Sequence, residues 1–280
     1  MVDDIRVGPA DEYWDRLRSK MGAGGLMTYW YLGCAFNQIE DLGIMRIRRD
    51  MRNTAGGIMA APLAIAAPET GGWRDREVVP VPVAYSLQII DEAIDVDEVR
   101  VDRSTVHRGK RMGFSRSEIV DASQPSRVIA ITTGIGVSLG EAPPGFRPID
   151  IPPELPDTVA LPPLHVVFGA TRDLDGWRLP PLDVTNASTT ASLHLGPIHV
   201  AFEAAATESV VERMGTELVQ VEAWDVHFLS PGRIGPFLTD VQVRVGTGGR
   251  VATRMTMVDE GNDGAVVASG AAVFRASTGQ

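Results

Sequence analysis

The sequence predicts an α+β protein of two similar halves, in each of which a curved antiparallel sheet wraps one central helix. Three observations lead there. Apolar and polar residues alternate twice in long strand-like runs, VAYSLQIIDEA from Val83 and VEAWDVHFLSPGRIGPF from Val221. Each run follows a helix of small residues that starts just after glycine, at Gly56-Gly57 and at Gly196. Between the halves, Glu141 to His165 holds eight prolines, which excludes helix or central strand and favours an extended connector.

Taken in order, the first helix is expected over 58–67 and is apolar throughout. The strand from Val83 comes next, and Tyr85, Leu87 and Ile89 lie on its buried face. RGKRMGFSRSEIVDASQPSRVIAITTGIGVS then reads as a hairpin, with a turn after Asp121 and a glycine, Gly134, in its second strand. The second half repeats the plan. A helix is expected from Ile198 to about Met214, then the strand carrying Trp224, Val226 and Phe228. The closing hairpin GGRVATRMTMVDEGNDGAVVASGAAVFRA turns after Asp259 and carries Gly270. Ala84, Tyr85, Leu87 and Ile89 match Ala223, Trp224, Val226 and Phe228. The expected organisation is therefore residues 1–140, a Pro-rich linker at 141–164, and residues 165–280.

Composition narrows the function. The chain has 280 residues, of which 44% are hydrophobic and 22% charged, and a formal charge of -10. That is ample for a packed core and wrong for a nucleic-acid partner, because phosphate binding needs a dense cationic footprint and the basic runs here are short. The acidic start, MVDDIRVGPADEYW, lacks the pattern of a secretory or transit signal, so neither is expected. The run GGIMAAPLAIAAP is too short to span a bilayer. A cytoplasmic location without membrane association is expected. One cysteine and no Cys/His cluster imply neither a disulfide nor a metal.

The second helix carries two apolar stripes, Phe202, Ala205, Ala206, Ser209 and Val210 on one side and Ala201, Ala204, Glu208 and Val211 on the other. It is therefore expected at the centre of its half. Glu208 sits among small neighbours, whereas Glu203 and Glu212 are read as solvated.

These pieces resemble the double-hotdog acyl-CoA thioesterases of the 4-hydroxybenzoyl and phenylacetyl type. That family places Asn or Gln before a Gly-x-x-His-Gly-Gly turn at the helix start, with Asp or Glu nine residues after the His. Gly-Pro-Ile-His ending at His199, followed by Glu208, is similar to the turn and the acid, although Val200 and Ala201 replace the glycines. In the first half Asn53 and Gly56 match, Met59 replaces the His and Pro68 falls where the acid belongs; Glu69 is one residue late. Leu193 stands opposite Asn53.

The resemblance implies one composite site between the two hotdogs. Asn53, Gly56, Gly57 and the helix start near Ala60 would come from the first half, Glu208, His199 and Val200 from the second. Glu208 would be base or nucleophile, Asn53 would orient water or the thioester carbonyl, and helix-start N–H groups would stabilise the oxyanion. The expected reaction is hydrolysis of an acyl-CoA or carrier-protein thioester, with no cofactor beyond the CoA of the substrate. The pseudo-dimeric chain could also form homo-oligomers. Two alternatives stay open: a non-catalytic acyl-ligand or scaffold protein, and a hydratase or dehydratase. The second lacks its Asp-x-Asn-x-x-His signature, because Asp183-Val-Thr-Asn186 has the wrong spacing and no following His.

Overall fold

The computed structural model describes residues 2–22, 24–36, 42–150, 155–246 and 248–276. Helices α1 (Tyr13–Met21) and α2 (Met27–Leu32) precede strands β1 (Ala35–Phe36) and β2 (Leu42–Arg46). Helix α3 (Ala60–Ala66) is followed by β3 (Val78–Ile89), β4 (Glu98–Arg108), β5 (Met112–Asp121) and β6 (Val128–Glu141). Beyond the connector come α4 (Leu164–Val167), β7 (Thr171–Arg172), β8 (Trp177–Leu179) and the long α5 (Leu195–Met214). The chain closes with β9 (Val219–Phe228), β10 (Phe237–Val245), β11 (Arg250–Asp259) and β12 (Ala265–Ala276). No described helix is long and apolar enough to cross a membrane.

The twelve strands among the described residues form one sheet in the order β1-β2-β4-β5-β6-β3-β9-β12-β11-β10-β8-β7. The order reads alike from both ends towards the β3·β9 junction, where the two halves meet edge to edge and antiparallel. There Tyr85 lies opposite Val226, Leu87 opposite Trp224, and Ser86 opposite Asp225. This is the pairing a two-fold axis requires when Tyr85 is equivalent to Trp224 and Leu87 to Val226. The internal repeat thus becomes a pseudo-dyad through Ser86 and Asp225. Joining the halves here gives each of these strands a partner on both sides, so neither leaves an open edge. Both expected hairpins form, β5·β6 and β11·β12, with turns after Asp121 and Asp259.

Helices α3 and α5 pack against each other and against the sheet, and share one core with it. Every residue of α3 is buried, which explains why it is built from alanine and other apolar residues and has no polar face. Glycine lets the chain after α3 lie directly on the sheet. A Cβ at Gly134 would come within 2.3 Å of the Glu69 Cβ, and one at Gly136 within 2.2 Å of the Thr70 carbonyl. Gly136→Ala is therefore expected to destabilise the fold by about 1–3 kcal/mol, the usual scale of overpacking, read as a lower thermal midpoint. A second, smaller core forms from Ile5, Tyr13, Trp14, Leu17 and Val79, with Phe146 and Ile149 of the connector packed on it. The indole N–H of Trp14 donates to the Pro143 carbonyl at 3.2 Å.

Candidate active site

The first four N–H groups of a helix lack intrahelical acceptors, so the two helix starts are where unsatisfied donors face a ligand or a cap. At α3 the residue before the helix, Met59, offers no side-chain cap, and the third helical residue, Pro62, has no N–H. Met59 N donates to the Met51 carbonyl at 2.9 Å, and the other two donors, Ala60 N and Ala61 N, are both taken by one carboxylate from the other half. Glu203 of α5 accepts from Ala60 N at 2.8 Å and from Ala61 N at 2.7 Å. It is 3% exposed. Burial pushes its pKa up to about 7, and the N–H groups of Ala61 and Ala60 hold it from rising further. In the loop before α3, Asn53 accepts from Gly57 N at 3.0 Å and donates to the Gln220 amide oxygen, and Gln220 Nε2 donates to the Ile58 carbonyl at 3.4 Å. Each of these contacts ties the loop before α3 to a partner within the protein.

The α5 start is different. His194 is the cap, its Nδ1 accepting from Gly196 N at 3.2 Å and lying 3.1 Å from Thr28 Oγ1. Pro197, again the third helical residue, has no N–H to satisfy. Next to this start lies a cavity of about 540 Å3 whose wall comes from both halves: Tyr29, Thr70, Asp75 and Arg103 from the first, His194 and Ile198 from the second. Leu17 of α1 and Phe146 of the connector also reach it. Asp75 is exposed on the cavity wall; the protein packed around its carboxyl raises its pKa, and the Arg103 guanidinium pulls the other way. The Nε of Arg103 is buried without a hydrogen-bond partner among the described residues. His194 itself is held neutral, its pKa pushed down to about 3 by burial. A carboxylate, a guanidinium and a neutral imidazole therefore share one space large enough for a ligand.

No protein-family model and no curated protein matches this sequence. Solved structures do match its fold. A putative thioesterase II from Thermobifida fusca superposes with a TM-score of 0.60 at 11% identity, covering 91% of this chain and 99% of that one. An acyl-CoA thioesterase II from Mycobacterium marinum gives 0.59 at 15% identity, with 90% and 100% covered. A conserved protein of unknown function with hot dog fold from Alicyclobacillus acidocaldarius gives 0.56 at 10%, with 90% and 98% covered. The chain is a tandem hotdog.

Within this double hotdog the structure separates the residues expected to act together. The α3 start at Ala60 does meet a carboxylate from the second half, but it is Glu203, which the helical pattern read as solvated, while Asn53 bonds Gly57 N and Gln220 instead. Glu208 lies elsewhere, accepting from Arg172 Nε at 2.9 Å and Trp177 Nε1 at 2.8 Å, with its side chain 35% exposed. Because α5 starts at Leu195, His199 lies inside the helix and not at its start. Its Nδ1 accepts from Trp224 Nε1 at 3.0 Å in the core, and burial lowers its pKa to about 3. Val200 is core as well. Gly56 adopts a left-handed φ of 88°, and a Cβ on Gly57 would meet Gln220 at 2.5 Å, so both shape the loop that carries Asn53.

The cause of the misplacement is a shift of five residues in the second half. Pro62 and Pro197 occupy the third position of their helices, and aligning on them sets His194 opposite Met59 and Glu203 opposite Pro68. That proline was the signal in the sequence that would have found both residues. Glu208→Gln is accordingly expected to leave any turnover unchanged and to alter stability by less than about 1 kcal/mol, as for other surface ion pairs, checked by product release and a thermal melt.

Proposed function

We propose that this chain hydrolyses acyl thioesters in the composite cavity at the α5 start. What carries the reading is the cavity, shared between the two hotdogs and furnished with the Asp75 carboxylate and the His194 cap. A thioester is already activated, so its hydrolysis needs little more than a base for water and a donor for the oxyanion. Asp75 takes the proton of water as its oxygen bonds to the carbonyl carbon. The C–S bond then breaks, and the leaving thiolate takes that proton from Asp75, giving a carboxylic acid and a thiol. Apolar residues such as Leu17, Ile198 and Phe228 offer the acyl group a surface. The fold neighbours whose descriptions name thioesterase activity support the same reading.

A second reading places the same reaction at the α3 start, with Glu203 as base. The observation in its favour is a Glu203 pKa of about 7 at two helix-start N–H groups. Against it, Ala60, Ala61 and Glu203 are all buried, and the two N–H groups that would hold an oxyanion already hold the carboxylate. The test is release of free thiol from a panel of acyl-CoA and acyl-pantetheine substrates, run beside binding of the same acyl groups as non-hydrolysable analogues. Thiol release supports hydrolysis. Binding without release supports the acyl-ligand protein instead, and new enoyl absorbance would identify a hydratase.

A further inference from the structure

His194 stands out once the hydrogen bonds at the α5 start are assigned atom by atom. Gly196 N–H is a donor and can only be received by an unprotonated ring nitrogen, so Nδ1 carries no proton. The second neighbour of Nδ1, Thr28 Oγ1 at 3.1 Å, then donates to it as well. In a neutral imidazole the proton must sit on Nε2. That nitrogen has no hydrogen-bond partner among the described residues, yet it is not among the occluded polar atoms, although the residue as a whole is 9% exposed. His194 lines the cavity, which is the open space next to the ring.

The ring is fixed as firmly as its tautomer. Tyr29 packs edge-on against it at 5.4 Å between ring centres. Thr28 is wholly buried, and it lies so close to the α5 start that a Cβ at Gly196 would come within 2.3 Å of its Oγ1. Glycine at that position is what allows the threonine to reach the imidazole. The positive end of a 20-residue helix adds to burial in disfavouring a second proton on the ring. Around the imidazole stand Thr28, Tyr29 and the neutral, buried His199, and no carboxylate among the described residues is bonded to it.

We propose that His194 is a catalytic residue of this cavity, a neutral imidazole whose Nε2–H donates a hydrogen bond to the thioester carbonyl oxygen and to the oxyanion that forms when water adds. The proposal rests on the hydrolase reading for its chemistry, while its geometry is independent of it. Two further residues act through the ring: Thr28 and Gly196 hold Nδ1, and so position Nε2–H towards the cavity. An imidazole that stays neutral supplies a donor without taking up the proton that Asp75 has to handle, so the two roles do not compete.

The substitution that isolates this role is His194→Asn. Asparagine is among the best helix caps, so its side-chain oxygen keeps the Gly196 N–H satisfied while the donor at the cavity wall is removed. The expected result is a kcat lower by about 10²–10³-fold, the usual cost of one lost oxyanion donor, with KM within about threefold and an unchanged thermal midpoint. A structural role alone would lower the midpoint and leave kcat per folded molecule intact. In parallel, 15N-resolved NMR of the wild-type imidazoles should show the His194 ring neutral and protonated on Nε2 from pH 5 to 8. Binding of an acyl methyl ketone, in which carbon replaces the thioester sulfur, should move the Nε2–H resonance. A ring protonated on Nδ1, a charged ring, or wild-type kcat in His194→Asn overturns the assignment. Should the wild type cleave no thioester at all, it is the hydrolase reading that fails. The ketone then decides His194 alone: a moved Nε2–H resonance keeps it as a carbonyl-binding group, and an unmoved one removes it.

Discussion

Asp75→Asn should lower thioester hydrolysis by about 10²–10⁴-fold, the scale on which a positioned general base contributes. Asparagine keeps the shape of the side chain but cannot accept the proton of the attacking water. Stability should hold, because Asp75 is exposed on the cavity wall and the amide keeps the shape of the carboxylate. The pH profile adds an independent check. Asp75 must be ionised to act, so wild-type kcat/KM should climb through a limb lying above the ordinary carboxylate range, in keeping with the upward shift. Weakening the Arg103 charge, which opposes that shift, should carry the limb higher still. Arg103→Gln is the variant for this purpose, read as the displacement of the acid limb. Hydrolysis by Asp75→Asn at the wild-type rate, with its acid limb intact, would remove Asp75 from the chemistry.

Much of the architecture could be read from the chain because it depends on local alternation. Tyr85, Leu87 and Ile89 point to one face of their strand, Trp224, Val226 and Phe228 to one face of theirs, and the antiparallel junction follows from their equivalence. The same holds for the hairpins, whose turns after Asp121 and Asp259 carry polar residues between two alternating runs. The site was less legible for a physical reason. A helical wheel places Glu203 and Glu208 on different faces but cannot say which face meets the start of another helix 143 residues earlier in the chain, as the Glu203 to Ala60 bond does. The cavity is harder still. Its wall is assembled from α1, the loop after α3, the connector and the α5 start, and nothing in the spacing of Leu17, Asp75, Phe146 and His194 brings them together before the fold does. Helices α1, α2 and α4 and the short strands β1, β2, β7 and β8 carry too few periodic residues to be read in advance.

Glu203→Gln should expose the cost of the buried brace at the α3 start and at the same time decide between the two helix starts as the seat of chemistry. In the wild type one carboxylate satisfies two N–H groups. Glutamine has a single acceptor oxygen, so one of Ala60 N and Ala61 N would face an amide NH2, at a cost of about 1–3 kcal/mol for an unsatisfied buried donor. Against that stands the cost of keeping the carboxylate ionised. Its pKa lies at about 7 in the folded protein and at the ordinary 4.5 otherwise. The folded chain therefore binds this proton more tightly than the unfolded chain, and wild-type stability should decline as pH rises from 4.5 to 7 and level off above. Two to three pKa units correspond to a total on the order of 3 kcal/mol. The amide does not titrate. Thermal melts from pH 5 to 8 should consequently show the variant below the wild type at pH 5, with the gap closing or reversing by pH 8. A gap that stays constant over this range would mean that Glu203 ionises at its ordinary pKa and that burial there is incomplete. Turnover supplies the other half of the result. If the chemistry belongs to the α5 cavity, Glu203→Gln should hydrolyse thioesters at close to the wild-type rate per folded molecule at every pH where it is folded. A loss of two orders of magnitude or more, with the fold intact, would transfer the base from Asp75 to Glu203 and make the α3 start the working site of this double hotdog.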